Sequence, residues 1–436
     1  MSKKCVLILL DGLGDRSYAE LAHRTPLQAA RTPFMDKIAA SGANGLYHAG
    51  LLGQALPSEN AHFAMFGYDT DEFPGRGALE ALGAGIDLTA DDVAVLAHFA
   101  GLREENNGLF LVNDKPKASL DEVKLLIETA GEYSRDGVKI RFVHTQGLQG
   151  ILVLRGKTAP FITDTDPFIH GFKVVDLKPW SDYKSDPAAQ NTARVLKTYL
   201  LNIYHTLKKH PLNDARLRRG LEPINGMVTQ RAGRLKPIVS FTERFGMRGL
   251  SIASGIVYQG LSAFIGMDFR KVSDTKDPGK DMAQRLSMAC KALDDYDFIH
   301  IHTKAPDEAA HTKDPLAKKK AIESLDSGIG RAVDPLMDNP EVLIILAADH
   351  STPSSGPLIH SGEPVPLTFC GPGIRRDGVR RFDEINAAQG ALGTVRGREM
   401  MYLILNHLDR AKLRGLMDTP VDQPFWPGNY DPFTLK

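Results

Sequence analysis

Short apolar runs alternate with longer amphipathic segments along most of the chain, and this alternation predicts an α/β fold. Four runs have the length and apolar composition of buried strands: residues 6–10 (VLILL), 297–302 (DFIHIH), 342–348 (VLIILAA) and 365–370 (VPLTFC). Patterns with helical periodicity cover three other segments: residues 25–42, 315–338 and 398–408. We therefore expect a mostly parallel sheet sandwiched by helices.

The middle of the chain has a different pattern, which predicts a smaller α+β insertion domain. Several short alternating segments (GLFLVND, VKIRFVHT and GILVLRG) are separated there by weak helical patterns. A helical pattern at 192–211 is expected to lead the chain back to the main sheet. The predicted organisation is a main domain formed by residues 1–90 and 188–436, with the insertion at 91–187.

Composition narrows the possible partners and the location. The chain has 53 basic and 53 acidic residues among 436, so no net charge favours binding to nucleic acid or to a membrane surface. No stretch approaches the 18 apolar residues of a membrane span, and the apolar run that ends at Asp11 is too short for a signal peptide. Three widely spaced cysteines suit a reducing compartment, so we expect a cytoplasmic protein. An oligomer remains an open alternative.

Acidic and imidazole side chains follow three of the predicted strands. VLILL ends at Asp11, VLIILAA is followed by Asp349 and His350, and the loop after FIHIH carries Asp307 and His311. Ligand sites of parallel sheets lie beyond the carboxyl ends of the strands. Residues that are far apart in sequence can therefore converge at one edge of this sheet.

His360 brings this set to three carboxylates and three imidazoles. Each residue alone would more often be a helix cap, a turn former or a solvated loop residue. Together they provide the ligands for two divalent ions such as Mn²⁺ or Zn²⁺. Two such ions form the clamp that enzymes use for phosphoryl displacement.

Ser58, in LPSENAH (56–62), is the candidate nucleophile for such a reaction. It follows Pro57 at the predicted start of a helix, where backbone N–H groups and the helix dipole favour an anion. A serine in this position is more often only a helix cap. Coordination to a metal ion would lower the pKa of its hydroxyl and make it a nucleophile.

These motifs, in this order, resemble the alkaline phosphatase superfamily. Within it they are most similar to the archaeal-type branch of cofactor-independent (2,3-bisphosphoglycerate-independent) phosphoglycerate mutases. The resemblance covers nearly the whole chain and rests on LLDGLGDR, PSENAHFAMFGYD, PGRGALEALGAGIDL, TDTDPF, APDEAAH and ADHSTPSSGPLIHSGEPVP. It implies an alkaline-phosphatase-like sheet and an isomerase that interconverts 3-phosphoglycerate and 2-phosphoglycerate through a phosphoserine, without 2,3-bisphosphoglycerate.

The resemblance also implies how two divalent ions (Mn²⁺, Zn²⁺, Co²⁺ or Mg²⁺) would be held. One ion would have three ligands: Asp307, His311 and His360. The other would have four: Asp11, Ser58, Asp349 and His350. Further residues match family positions near the substrate or behind the metal ligands: His62, Asp164, Asp166, Arg231, Arg234 and Lys304. For Lys304 a surface role, and for the two aspartates the ordering of a loop, remain alternatives.

Several departures from the family pattern fall on the substrate side. Ala97 and His98 replace polar family residues at the start of the insertion. Only Lys115 and Lys117 remain where the family has an arginine pair, and a lysine does not replace a bidentate guanidinium. Gln259 stands where the family commonly has lysine, which removes one more cation.

These departures leave three functions open. The first is the mutase. The second is a metal-dependent phosphohydrolase or phosphotransferase that acts on another small phosphate or phosphonate ester, because a hydrolase need not retain glycerate while it reorients. The third is a metal-binding scaffold without catalysis, which would be expected to have lost a ligand or the nucleophile, and neither is lost.

Overall fold

In the computed structural model, which describes residues 3–428, 430 and 432–435, the chain forms two compact units. The main unit runs up to Phe73 and resumes at Ile238, and the inserted unit is Pro74–Pro237. The insertion is therefore longer at both ends than the predicted 91–187.

The strands are numbered here in chain order. In the part of the chain that the structure describes they are β1 (Lys4–Leu10), β2 (Ala43–His48), β3 (Val93–Glu105), β4 (Gly108–Asn113), β5 (Glu132–Arg135), β6 (Val138–Gln146), β7 (Gln149–Gly156), β8 (Gly226–Gly233), β9 (Gly249–Ala253), β10 (Asp268–Lys271), β11 (Phe298–Thr303), β12 (Val342–Ala347), β13 (Val365–Cys370) and β14 (Gly393–Arg396).

The helices are numbered in the same way. They are α1 (Pro26–Ala29), α2 (Pro33–Ala40), α3 (Ser58–Met65), α4 (Arg76–Gly83), α5 (Leu120–Ala130), α6 (Pro187–Lys208), α7 (Pro211–Arg218), α8 (Phe241–Phe245), α9 (Ile256–Ile265), α10 (Pro278–Cys290), α11 (Ala305–His311), α12 (Pro315–Gly330), α13 (Asp334–Met337), α14 (Glu384–Ala387) and α15 (Glu399–His407). Among the described residues, no helix is long and apolar enough to cross a membrane.

The main unit contains an eight-stranded sheet in the order β10-β9-β11-β1-β12-β13-β2-β14. Neighbouring strands are parallel except where β13 pairs with β12 and β2. The predicted mostly parallel sheet is therefore confirmed. Because β13 runs against β12, the loop between them begins and ends at the same edge of the sheet, which is also the edge where β1 and β11 end.

The inserted unit contains its own sheet, ordered β4-β3-β7-β6-β5, with β8 also paired to β3. The predicted boundaries at 91 and 187 are wrong because elements outside them pack on this sheet: α4 contacts β3 and β8, and α6 contacts α5 and β8. The helix predicted at 192–211 does not lead back to the main sheet. Its apolar side chains, such as Leu196, Tyr199 and Ile203, lie in the core of the inserted unit.

Two predicted helical segments are each divided. The segment 25–42 forms α1 and α2, because Pro33 starts a new helix and the residue before a proline avoids helical backbone angles. The segment 315–338 forms α12 and the short α13. Both α12 and α2 begin with proline at the first turn, where its missing N–H costs no helical hydrogen bond.

We expect Ile8→Ala to destabilise the main unit by about 2–5 kcal/mol, because it removes a side chain from the centre of β1, where every residue from Cys5 to Leu10 is buried. Ile8 is 0% exposed and is paired with Ile301 of β11 and Leu346 of β12. Urea unfolding followed by circular dichroism measures the loss. Leu51→Ala is the control, since Leu51 is 74% exposed. An equal effect of the two substitutions would contradict the described packing of β1.

Candidate metal centre

The carboxyl ends of three neighbouring strands deliver the acidic residues of the site. Asp11 follows β1, Asp307 lies in the first turn of α11 after β11, and Asp349 follows β12. The loop from β12 to β13 contributes His350 and His360. Ser58 is the first residue of α3, which follows β2. All of these residues belong to the main unit.

The donor atoms of Asp11, Asp349 and His350 lie within 4.8 Å of one another. His350 Nε2 is 3.2 Å from Asp11 Oδ1 and 3.3 Å from Asp349 Oδ2. Ser58 lies beside this group, with its Oγ 2.9 Å from His350 Nε2 and 3.3 Å from Asp11 Oδ1. The four residues that the family resemblance implies as ligands of one ion are therefore close together.

The donor atoms of Asp307, His350 and His360 form a second group within 4.8 Å. His360 Nε2 is 3.6 Å from Asp307 Oδ1, and its ring stacks on that of His350 with centroids 3.9 Å apart. His311 is placed differently from the other two predicted ligands of this ion. Its Nε2 is 3.2 Å from the other oxygen of Asp307, Oδ2, and the group of three does not include it.

Hydrogen bonds behind the imidazoles turn their Nε2 atoms toward the site. The Nδ1–H of His360 donates to the carbonyl of Leu56 at 2.8 Å. The hydroxyl of Thr352 donates to Asp307 Oδ1 at 2.7 Å, so that its oxygen accepts from the Nδ1–H of His350 at 3.1 Å. These contacts hold the Nδ1–H of each ring away from the site, so Nε2 is the nitrogen that a metal ion would meet.

Backbone donors fix one oxygen of Asp349 and leave the other for the site. Oδ1 accepts from the N–H groups of Gly12 and His350, at 3.0 and 2.9 Å. Oδ2 is buried and accepts no hydrogen bond from any described residue. Gly12 is required here, because its φ is +64° and a Cβ would lie 2.6 Å from Thr352 Oγ1.

The charges of these residues are strongly coupled. Burial disfavours the charged form of Asp11, but hydrogen bonds from His302 and His350 outweigh it and hold its pKa well below the usual value. Burial likewise disfavours imidazolium at His350, but Asp349 and Asp11 raise the pKa of His350 to about 9. In the absence of metal, His350 is therefore the cation that balances the carboxylates.

The residues fit divalent ions on two observations. The donors are carboxylate oxygens and imidazole nitrogens, the set that Mn²⁺, Zn²⁺ and Co²⁺ accept. A buried carboxylate oxygen without a hydrogen bond, such as Asp349 Oδ2, is costly unless a cation or another donor meets it.

Two residues that the sequence did not single out orient Asp11. Its Oδ2 accepts from the Tyr258 hydroxyl at 2.8 Å and from His302 Nε2 at 3.0 Å. With Oδ2 held in this way, Oδ1 is the oxygen that faces Ser58 and His350. A signal for His302 was present in FIHIHT, where a polar residue on the same strand face as His300 lies one residue before the strand ends.

Two further candidates from the sequence lie at this site. His62 is 0% exposed, donates from Nδ1 to the carbonyl of Ser58 at 2.8 Å, and lies 3.3 Å from Asp349 Oδ2. Its position is that of a residue behind the ligands. The Nζ of Lys304 lies over the ring of Tyr258, 5.3 Å from the centroid.

The remaining candidates lie in the inserted unit. Asp164 accepts from the backbone N–H of Arg231 at 2.5 Å, and Asp166 accepts from the N–H of Phe168 at 2.8 Å and from Gln230 Nε2 at 2.6 Å. Both carboxylates therefore order the backbone around them. Arg234 donates to the hydroxyl of Thr158 at 3.3 Å.

Comparison with known proteins places this geometry in a family. The model of the metalloenzyme superfamily matches residues 3–407. A 2,3-bisphosphoglycerate-independent phosphoglycerate mutase of Methanocaldococcus jannaschii is 41% identical over 421 residues, which are 95% of this chain and 95% of that protein.

Two solved structures are similar over nearly the whole chain. A protein from Pyrococcus horikoshii has a TM-score of 0.77 and 30% identity, with 95% of this chain and 100% of that one covered. A cofactor-independent phosphoglycerate mutase from Thermoplasma acidophilum has a TM-score of 0.62 and 27% identity, with 93% and 100% covered. The chain therefore belongs to the metalloenzyme superfamily and, within it, to the family of 2,3-bisphosphoglycerate-independent phosphoglycerate mutases.

Proposed function

We propose that this chain interconverts 3-phosphoglycerate and 2-phosphoglycerate and that Ser58 carries the phosphoryl group between the two positions. The observation that supports this most is the place of the Ser58 hydroxyl, 2.9 Å from His350 Nε2 and 3.3 Å from Asp11 Oδ1, beside two groups of metal-type donors. Full-length similarity to mutases supports the substrate.

Membership in a superfamily of metalloenzymes implies divalent metal ions. We propose that Asp11, Ser58, Asp349 and His350 hold one ion and that Asp307, His311 and His360 hold the other. When bound, such ions would lower the pKa of the serine hydroxyl and neutralise charge on the transferring phosphoryl group. Mn²⁺, Zn²⁺, Co²⁺ and Mg²⁺ are all compatible with these donors, and we propose no need for 2,3-bisphosphoglycerate.

The first half-reaction uses the hydroxyl of Ser58. A bond forms between Ser58 Oγ and phosphorus as the bond between phosphorus and the 3-oxygen of glycerate breaks. The serine proton ends on the departing 3-hydroxyl, so the products are phosphoserine and glycerate. Asp11 Oδ1 accepts a hydrogen bond from Ser58 at 3.3 Å and thereby aims its oxygen. The first turn of α3 adds backbone N–H groups that favour the anion.

The second half-reaction returns the phosphoryl group to the 2-hydroxyl after glycerate has turned. The 2-oxygen bonds to phosphorus, the bond to Ser58 Oγ breaks, and the proton of the 2-hydroxyl returns to serine. Retention of glycerate requires cations, and we propose Lys304, Arg231 and Arg234 for this task. We expect the reaction to take place in the cytoplasm, where the unpaired thiols Cys5, Cys290 and Cys370 stay reduced.

The hydrolase is the second candidate because of Gln259, Lys115 and Lys117, which replace stronger phosphate-binding residues. Phosphorus NMR of metal-supplemented protein with 3-phosphoglycerate separates the two functions. Formation of 2-phosphoglycerate without inorganic phosphate is expected for the mutase. Phosphate alone, or reaction only with another phosphate ester, would contradict it.

Ser58→Ala should lower turnover by about a thousand-fold or more, because it removes the hydroxyl that we propose as the acceptor of the phosphoryl group. Fold and metal content should stay close to those of the unsubstituted protein. Turnover is measured by the NMR assay, and metal content by elemental analysis after gel filtration. Ser262→Ala is the matched control, since Ser262 is a buried serine whose hydroxyl donates to the carbonyl of Tyr258 within α9. Retained turnover in Ser58→Ala would remove this residue from the nucleophile role.

His311→Ala should bind one metal equivalent fewer than the unsubstituted protein. The imidazole contacts Asp307 at 3.2 Å, so its loss leaves that ion with two of its proposed ligands. Elemental analysis counts the bound ions, and His205→Ala, an exposed histidine of α6, is the control. If His311→Ala still binds two ions, His311 is not a ligand. That result would agree with the group of three donor residues, which does not include His311.

Metal affinity should rise with pH up to about pH 9. Below the pKa of His350, which is about 9 without metal, the imidazole holds a proton that an incoming ion must displace. Apparent affinity for Mn²⁺ should therefore increase by about ten-fold per pH unit for each proton released. Titration calorimetry at pH 7 in two buffers with different ionisation enthalpies counts these protons. Binding without proton release would contradict the described charge state of His350.

A further inference from the structure

Lys318 is a fully buried lysine on the inner face of α12. It is the first of three consecutive lysines, and it is 0% exposed. The stripe Ile322, Leu325 and Ile329, at helical spacing from it, is also 0% exposed. Lys318 therefore occupies a core-facing position that would ordinarily hold an apolar residue.

The ammonium of Lys318 has three acceptors, one for each of its protons. Nζ donates to the carbonyl of Gly14 at 2.8 Å and to the carbonyl of Thr352 at 2.9 Å, and it lies 3.1 Å from Asp15 Oδ2. A lysine ammonium has three donors and no acceptor, so this arrangement satisfies it completely.

These acceptors belong to the two loops that carry metal-type donors. Gly14 and Asp15 follow Asp11 in the loop after β1, and Thr352 follows His350 in the loop after β12. The loops also meet directly, because the N–H of Thr352 donates to the carbonyl of Gly14 at 2.9 Å. Lys318 thus joins α12 to one backbone carbonyl in each loop.

Asp15 extends this connection within the second loop. Its Oδ2 accepts from the hydroxyl of Ser354 at 2.5 Å, and its Oδ1 accepts from the N–H of Ser354 at 3.2 Å and from the hydroxyl of Tyr18 at 2.6 Å. The carboxylate and the ammonium together join residues 14–15 to residues 352–354. The position of each loop is therefore set by the other.

Thr352 transmits this position to the candidate ligands. Its backbone is held by Lys318, and its hydroxyl contacts Asp307 Oδ1 at 2.7 Å and His350 Nδ1 at 3.1 Å. A shift of Thr352 would therefore change the direction of a carboxylate in one donor group and of the imidazole that both groups share.

We propose that Lys318, paired with Asp15, is a positioning residue that sets the separation of the two donor-bearing loops and so allows both metal ions to bind. This inference rests on the metal-dependent function proposed above. Burial of an ion pair in place of apolar side chains gives little stability in itself, whereas a residue that holds metal ligands in place changes metal affinity.

Lys318→Met should weaken Mn²⁺ binding by about ten-fold or more, the effect of losing a residue that supports metal ligands. Affinity and stoichiometry are measured by calorimetry on folded apoprotein, with folding checked by circular dichroism at the same temperature. Electron paramagnetic resonance of the Mn²⁺-loaded protein gives a second readout, since two neighbouring ions produce a spin-coupled signal. The variant should lose this coupled signal.

Lys319→Met is the matched control on the same helix. The neighbouring lysine forms a surface pair with Glu323 at 2.6 Å, and its loss should leave Mn²⁺ binding unchanged. Because Lys318→Met leaves Asp15 buried without its partner and can fail to fold, the double variant Asp15→Asn/Lys318→Met removes both charges. It should fold and still bind Mn²⁺ about ten-fold or more weakly.

The outcomes separate this inference from the proposed function. Unchanged affinity and an unchanged coupled signal in either folded Lys318 variant would overturn the positioning role. If the unsubstituted protein itself binds no Mn²⁺, the metal-dependent function fails instead. Weakened binding in both Lys318 variants, with Lys319→Met unchanged, supports the inference.

Discussion

Three carboxylates, those of Asp11, Asp307 and Asp349, lie together at one edge of the main sheet, and their mutual repulsion must be balanced before the site can form. Water cannot do this alone, because Asp11 and Asp349 are 1% and 2% exposed. The fold supplies His350, whose pKa is raised to about 9 by these neighbours. Hydrogen bonds to the carboxylates supply the rest. Divalent metal ions would balance the negative charge of the carboxylates more strongly, since each ion carries two positive charges and the imidazolium carries one.

The topology of the sheet makes this concentration of charge possible. Parallel β1, β11 and β12 end at one edge, so a single polar residue after each strand is enough to build an acidic cluster. The reversed direction of β13 keeps the long loop after β12 at that edge, and this loop brings His350 and His360. β2 runs in the same direction as β1, so the segment after β2 places Ser58 at the same edge. The sheet and the two connected loops thus hold the donor residues in place.

Much of the site could be predicted because its chemistry follows strand ends, which short apolar runs mark clearly. Asp11, Asp349 and His350 follow such runs directly, and the structure places them together. Three of the residues that support them, Tyr258, His302 and Lys318, were not predicted, because each belongs to a sequence pattern that has a more common structural explanation. Tyr258 lies in an apolar helix, His302 inside a buried strand, and Lys318 in a lysine run typical of a solvated helix face. The helical spacing of Lys318 to Ile322 and Leu325 could have indicated that it points inward.

The fold was predicted in class but not in its boundaries, for a physical reason. Periodicity shows that α6 has an apolar face, but it does not show against which sheet that face packs. In the structure this face packs in the core of the inserted unit. The place of Pro33 could have indicated the break between α1 and α2. The packing partner of an amphipathic helix is decided by tertiary contacts, which no local pattern contains.

The central claim is that Ser58 itself takes the phosphoryl group. The most direct test is to mix Mn²⁺-supplemented protein with 3-phosphoglycerate, quench the mixture in acid within milliseconds and map the phosphorylated peptide by mass spectrometry. The account predicts one added phosphoryl group on Ser58, which disappears as 2-phosphoglycerate and 3-phosphoglycerate form. A phosphoryl group on another residue, or turnover with no phosphorylated protein at any time, would contradict it.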